Sequence, residues 1–230
     1  MAKKKGVFTA ETFRFFRELA RNNHKPWMDA NRERYQGHVV APFRALLESL
    51  APEVLKLDRS FDTGGRTGVN FSRINRDIRF TPNRAPYYTQ MYLTFVTAGS
   101  KGRSSGQLYV GLSAESATAG FRVYSENSAS KLATLGVPRA TEHAAWLKRQ
   151  KQRLGKKYES YWYSREKKEW TKQDGWPLTP DEWKRIQGWI VRKEMKPAAA
   201  TRPAFVSEVS AIFRDLFPLY LFSSSPRWKA

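Results

Sequence analysis

The sequence predicts an α+β domain: an antiparallel sheet of four or more strands flanked by N-terminal and C-terminal helices. Three observations predict it. Helical periodicity fills the chain from Thr9 to about Leu57, short β-branched and aromatic runs cluster from Val69 to Ser125, and helical patterns dominate residues 126–230. The runs succeed one another through short turns. That favours antiparallel pairing, since parallel neighbours need a crossover of about a dozen residues. A length of 230 residues suits a single domain over 1–230.

Thr9 is placed to cap a first helix, with Glu11 in its first turn and Phe13, Phe16, Leu19 and Ala20 at helical spacing. Asn22-Asn23 ends it, because asparagine tolerates the left-handed backbone of a helix stop. Pro26 suits the opening turn of a second helical stretch that runs through WMDANRERY to about Leu57. Pro42 and Pro52 divide that stretch into two or three pieces. Gly64-Gly65 and Gly68 mark a surface turn. GGRTG lacks the Gly-Lys-Ser/Thr ending of a nucleotide-binding loop.

Four strand patterns come next: VNFSRINRDIRF (69–80, taken on to Thr81), YTQMYLTFV (88–96), QLYVGLS (107–113) and AGFRVYS (119–125). Between the second and third, GSKGRSSG (99–106) reads as a basic hairpin loop. The stretch 126–230 reads as mostly helical. ENSASKLATL and Thr141 to about Leu154 suggest helices. YESYWY (158–163) suits helix or strand. Thr179-Pro180-Asp181-Glu182 reads as a helix start leading into EWKRIQGWIVRK, and KPAAATRP as a linker. A last helix carries Phe205, Val209, Ile212, Phe213 and Leu216 on one stripe and ends before Pro218.

Charge is the unusual total. The chain has 41 Lys+Arg against 21 Asp+Glu, a formal net charge of +20 and a pI near 10.3. Such a surface attracts polyanions: nucleic acid first, then anionic membrane, then phosphorylated small molecules. The excess is spread evenly, with 19 basic and 10 acidic residues in 1–120 and 22 against 11 in 121–230. The absence of cysteine excludes disulfides, thiolate catalysis and cysteine-ligated zinc. His24, His38 and His143 have no metal-ligand spacing, so neither a metal nor a cofactor is expected. No stretch approaches the ~18 uninterrupted apolar residues of a membrane span, and no leader pattern opens the chain; a cytoplasmic protein is expected.

The densest motif is SRINRDIRFTPNRAPYYT, Ser72 to Thr89, with four arginines, one aspartate and two tyrosines. Read as a strand of period two, one face carries Val69, Phe71, Arg73, Asn75, Asp77 and Arg79. The other carries Ile74, Arg76, Ile78 and Phe80, with Arg76 out of place on an apolar face. Arg73, Arg76, Asp77, Arg79, Arg84 and Tyr87 are the candidate ligand-binding residues. A guanidinium fork matches carboxylate or phosphate oxygens in pairs, Asp77 would hold one arginine in place, and a tyrosine would offer a hydroxyl or a stacking face. The alternative is an internal lock, in which Asp77 pairs with its arginines beneath the following turn.

NNHKPWMDANRERY (Asn22 to Tyr35) and RINRDIRFTPNRAPYYT (Arg73 to Thr89) together resemble the family called domain of unknown function 2461. The matching positions are Asn22, Asn23, Trp27, Met28, Asn31, Arg32 and Tyr35, then Arg73, Asn75, Arg76, Asp77, Arg79, Phe80, Pro86 and Tyr87. The resemblance is good over residues 8–125. Beyond them, Ala119-Gly120-Phe121-Arg122 stands where family members have Gly-Gly-x-Tyr/Met, and a late acidic-histidine-proline segment is missing. The resemblance implies an α+β fold and no assigned activity.

A second basic stretch, KRQKQRLGKKYESYWYSREKKEWTK (148–172), interleaves ten basic residues with aromatic ones. Basic groups neutralise phosphates and aromatic faces stack on unpaired bases; the alternative is a solvated helix with its aromatics turned inward. Tyr161 and Trp162 here, with Asn31, Lys101 and Arg103 elsewhere, are secondary candidates. Asp77 and Glu126 are a further candidate pair of carboxylates. The residues support three functions. The first is binding of a phosphate-bearing ligand, foremost nucleic acid, with a phosphorylated small molecule as the other partner. The second is an enzyme whose arginines clamp an anionic small molecule while Asp77 or Tyr87 moves a proton. The third is a structural or partner-binding protein in which the motifs serve folding alone.

Overall fold

The computed structural model describes residues 6–79, 82–100, 106–125, 131–164, 166 and 168–229. It is α+β, with helices at both ends of the chain and a six-stranded antiparallel sheet. The helices are α1 (Ala10–Arg21), α2 (Lys25–Ala30), α3 (Arg32–Tyr35), α4 (Ala41–Leu57), α5 (Lys131–Glu142), α6 (Ala144–Leu154), α7 (Pro180–Arg185), α8 (Pro197–Ala200) and α9 (Phe205–Ser224). The strands are β1 (Gln90–Phe95), β2 (Gln107–Ser113), β3 (Ala117–Tyr124), β4 (Glu159–Ser164), β5 (Trp170–Gln173) and β6 (Ile186–Met195), in the spatial order β1-β2-β3-β6-β4-β5. Among the described residues no helix is long and apolar enough to cross a membrane.

The chain forms two compact units. One comprises Met1–Phe95, Val110–Thr118 and Met195–Ser210; the other Val96–Tyr109, Ala119–Glu194 and Ala211–Ala230. In the first, α1 buries Phe13, Phe15, Phe16 and Leu19, and α4 buries Phe43, Leu46, Leu50 and Val54. Phe8 meets Phe43 and Phe205 edge-on, at centroid distances of 5.1 and 6.0 Å. The stretch 26–57 is broken into pieces, but not at its prolines: α2, α3, a π turn over Gln36–Val40 and α4 follow one another, with Pro42 in the first turn of α4 and Pro52 inside it, so neither divides the helix. Asn22 closes α1 at φ −129°, outside the left-handed region expected of it, and its side chain donates to Glu18 O at 3.0 Å.

The second unit is built on tryptophan. Trp189 meets Phe121, Trp176 and Trp183 edge-on at 5.2, 5.9 and 5.3 Å, and all four rings are buried. Glycines admit the close approaches this needs. A side chain at Gly136 would overlap the Trp183 ring, and one at Gly120 would overlap the Val191 carbonyl.

Three further expectations require correction. Residues 69–79 form no ladder strand, only the isolated bridges Phe71–Leu93 and Asn75–Tyr87 besides Thr67–Phe71. Side chains take over the backbone's partners: Ser72 Oγ accepts the Tyr92 N–H at 2.9 Å, and Asp77 Oδ1 accepts the Arg79 N–H at 3.1 Å. Pro82 and Pro86 offer no N–H at all. Phe80 and Thr81 lie outside the described residues. Second, the helix begun at Pro180 lasts six residues, and IQGWIVRKEM is β6, paired with β4 through Ser160–Val191 and Trp162–Trp189. The 126–230 stretch thus contributes three strands, β4, β5 and β6, to the sheet. Third, α9 continues through Pro218 to Ser224, because Leu219, Tyr220 and Phe222 beyond the proline are buried.

Candidate functional site

The loop before the arginine segment is pinned by Asn70, which is fully buried. Its amide donates to Asp62 O at 2.7 Å and to Thr94 O at 3.2 Å, and its oxygen accepts the Arg66 N–H at 3.1 Å. Gly65 and Gly68 hold φ at +69° and +86°, a left-handed backbone that glycine takes without strain. Asp62 accepts from Gly64 N and from the Arg66 guanidinium. The Gly64 N–H first, and Arg66 after it, keep its carboxyl below the usual range. The chain then returns as two arms, 74–76 and 86–88, joined by Arg76 N to Pro86 O and Tyr88 N to Ile74 O, both 2.8 Å.

Asn23 clamps this turn to the end of α1. Its amide donates to Tyr87 O at 2.9 Å and its oxygen accepts the Tyr87 N–H at 3.0 Å, as a strand partner would. The two segments that carry the family resemblance therefore meet through one side chain.

The arginines part company. Arg79 grips Asp77 with Nε and Nη2 at 3.0 and 2.8 Å. That guanidinium first, and the Arg79 N–H second, hold the Asp77 carboxyl at about 2. Both side chains face solvent. Arg84 donates to Ile78 O at 3.1 Å, and Arg76 lies 5.8 Å from the Tyr88 ring centroid. Tyr87 is buried. Arg73 turns elsewhere, its guanidinium beside Gly68, and among the described residues it makes no hydrogen bond or ion pair.

Arg73 lines a cleft of about 280 Å³ with Tyr35, Val40, Arg44, Thr67, Phe71, Ser72, Ile74, Asn75 and Met91. Arg44, on α4, also has no anionic partner among the described residues; its guanidinium lies 5.7 Å from the Phe71 ring centroid. Tyr35 is 7% exposed, and burial pushes its hydroxyl above the usual tyrosine range. Two guanidiniums, hydroxyl side chains and an amide around one small concavity form a donor-rich setting for an anion.

The sequence pointed to Arg73 and, through the motif, to Tyr35 and Asn75. It missed Arg44, Thr67 and Ser72. Nothing marks Arg44 among the other exposed charges of α4, and Thr67 sits in a glycine-rich turn. Asn31 donates to Trp27 O at 2.9 Å and accepts from Arg34 at 2.7 Å, which engages its amide in the α2–α3 turn. His24 caps α2, its Nδ1 accepting the Trp27 N–H. Tyr161 and Trp162 are half-buried on β4. The Tyr161 hydroxyl donates to Glu159 and accepts from Arg192, whose guanidinium lies 4.4 Å from its ring centroid, and Trp162 Nε1 donates to Ser160 Oγ. Lys101, Arg103 and Glu126 lie outside the described residues.

Comparison with curated proteins returned no match. The family described as conserved hypothetical protein (DUF2461) matches residues 11–222, so the resemblance reaches well past Ser125 and takes in the divergent half. The chain belongs to that family.

Proposed function

We propose that this protein binds a phosphate-bearing ligand and that the Arg44–Arg73 cleft receives the anionic group. One observation carries the reading: two guanidiniums without anionic partners among the described residues line the same concavity. In a chain of net charge +20 an unpaired surface arginine is ordinary; two that share a cleft with Tyr35, Thr67, Ser72 and Asn75 are convergent donors. A volume of about 280 Å³ suits one phosphate and its immediate attachment. The reading is one of binding and assigns no catalytic step. A cytoplasmic setting belongs to it, since phosphorylated partners are abundant there.

Thermal unfolding in the presence of inorganic phosphate, pyrophosphate and nucleoside monophosphates tests it. A ligand that binds the native state raises the melting temperature. The wild type is expected to respond to at least one probe and Arg73→Met to respond less to that probe; equal responses from both would refute the cleft.

Nucleic acid is the second reading, favoured by the net charge of +20 and by the exposed Arg79 and Arg84 on the arginine turn. It predicts binding of labelled DNA or RNA that weakens steeply with salt and weakens further in Arg79→Ala.

A further inference from the structure

The basic stretch 148–172 folds into a concavity of its own in the second unit. We infer that this concavity is a separate binding site for a compact polyphosphorylated small molecule. It measures about 770 Å³ and is lined by six lysines: Lys148, Lys151, Lys156, Lys157, Lys172 and Lys193. The volume is within the ~300–1,000 Å³ of small-molecule sites and exceeds what a single phosphate fills.

The acidic groups in the lining do not cancel that charge. Glu159 accepts from Lys172 and Arg192, and Glu194 accepts from Arg192 at 2.7 Å, so both are engaged with cations. Burial pushes the Glu159 carboxyl up, but Lys172, Tyr161 and Arg192 outweigh it and leave it ionised below the usual range. Lys157 lies 3.8 Å from Asp215. Asp174 is the remaining carboxylate in the lining. Against it stand Lys148, Lys151 and Lys156, none of which has an anionic partner among the described residues. Lys151 leans over Gly175, where a side chain would come within 3.4 Å of its ammonium.

The absence of a stacking face in the lining sets the ligand class. Tyr158 and Trp176 are 8% and 3% exposed, and the Tyr158 hydroxyl is committed to Asp215 at 2.9 Å. Neither ring presents a face on which a base can stack, so the site has the cations of a nucleic-acid groove without its stacking platform. Ammonium groups on flexible stems are point charges. They suit several phosphates held close together rather than one oriented fork.

The test is calorimetric titration with inorganic tripolyphosphate in the Arg73→Met background, which removes the other proposed site. K148Q/K151Q/K156Q is compared with R21Q/K56Q/R59Q, which removes equal charge from the first unit. Melting temperatures check that each variant folds, and K156Q alone serves as a milder probe. The expected result is binding weakened about tenfold or more by the cleft variant and changed little by the control. A nucleoside triphosphate and inositol hexakisphosphate, as parallel arms, distinguish sources of the same chemistry. Equal losses in both triple variants, or no binding of any of the three probes, overturn the site. So does an oligothymidylate that binds more tightly than tripolyphosphate through the same lysines, in favour of a nucleic-acid groove.

Discussion

Asn23, a position of the family motif, and Arg34, which lies within the same segment but is not one of the matching positions, both serve architecture. Asn23 supplies both a donor and an acceptor to Tyr87, so Asn23→Ala leaves two backbone groups short of partners. A loss of about 1–3 kcal/mol is expected, measurable by urea unfolding. Arg34 joins Glu11 and Glu18, with Nη1 at 2.8 Å from Glu18. The Arg34 hydrogen bond is the largest influence on Glu11 and holds its carboxyl below the usual range, against the opposing effect of burial. The unfolded chain therefore takes up a proton first as pH falls. Stability is fully present above about pH 4.3 and declines below it until the folded carboxylate also protonates. Unfolding free energy measured from pH 6 to pH 3 should fall less steeply in Arg34→Met than in wild type. At this scale the sequence was partly legible: Arg73 stood out as a candidate, but the pairing of Asp77 with Arg79, leaving Arg73 to another concavity, depends on a backbone turn that residue types do not specify.

Elements were legible where local signals and tertiary pairing agreed. The capping pattern at Thr179-Glu182 produced a helix start, with Glu182 accepting from Leu178 N and Thr179 N at 2.8 and 2.9 Å. The β-branched and aromatic residues after Arg185 then paired with β4, and sheet formation overrode the expected continuation. Likewise Pro218 is a stop signal in the sequence, whereas burial of the residues beyond it carries α9 onward. The end of α9 is held by Arg139, whose guanidinium donates to the carbonyls of Leu221, Phe222 and Ser225, the last at 2.7 Å. It also lies 5.2 Å from the Trp228 ring centroid. Arg139→Met should therefore cost about 1–3 kcal/mol by chemical denaturation, through lost charge-assisted bonds at a helix C-terminus. Gly120→Ala forces a methyl group into the Val191 carbonyl, with an expected loss of about 1–3 kcal/mol or more and a lower melting temperature.

For the whole molecule, charge was the clearest message and the least specific one. A net +20 spread over both halves predicts attraction to phosphate in general, and no total reveals which cations converge. Folding sorts them. Arg79 is neutralised by Asp77, Arg34 by Glu11 and Glu18, and Arg192 by Glu159 and Glu194. Arg44 and Arg73 are left facing one small cleft. Arg44 was invisible to sequence reasoning because it comes from α4, tens of residues before the motif. The most direct test is a calorimetric titration of a nucleoside monophosphate or pyrophosphate, whichever gives the larger thermal shift, into wild type and Arg44→Met. Binding to the wild type that weakens about tenfold or more in Arg44→Met, with no loss of folding stability, is the predicted result. Equal affinity in the two proteins would contradict the cleft as the site that holds phosphate.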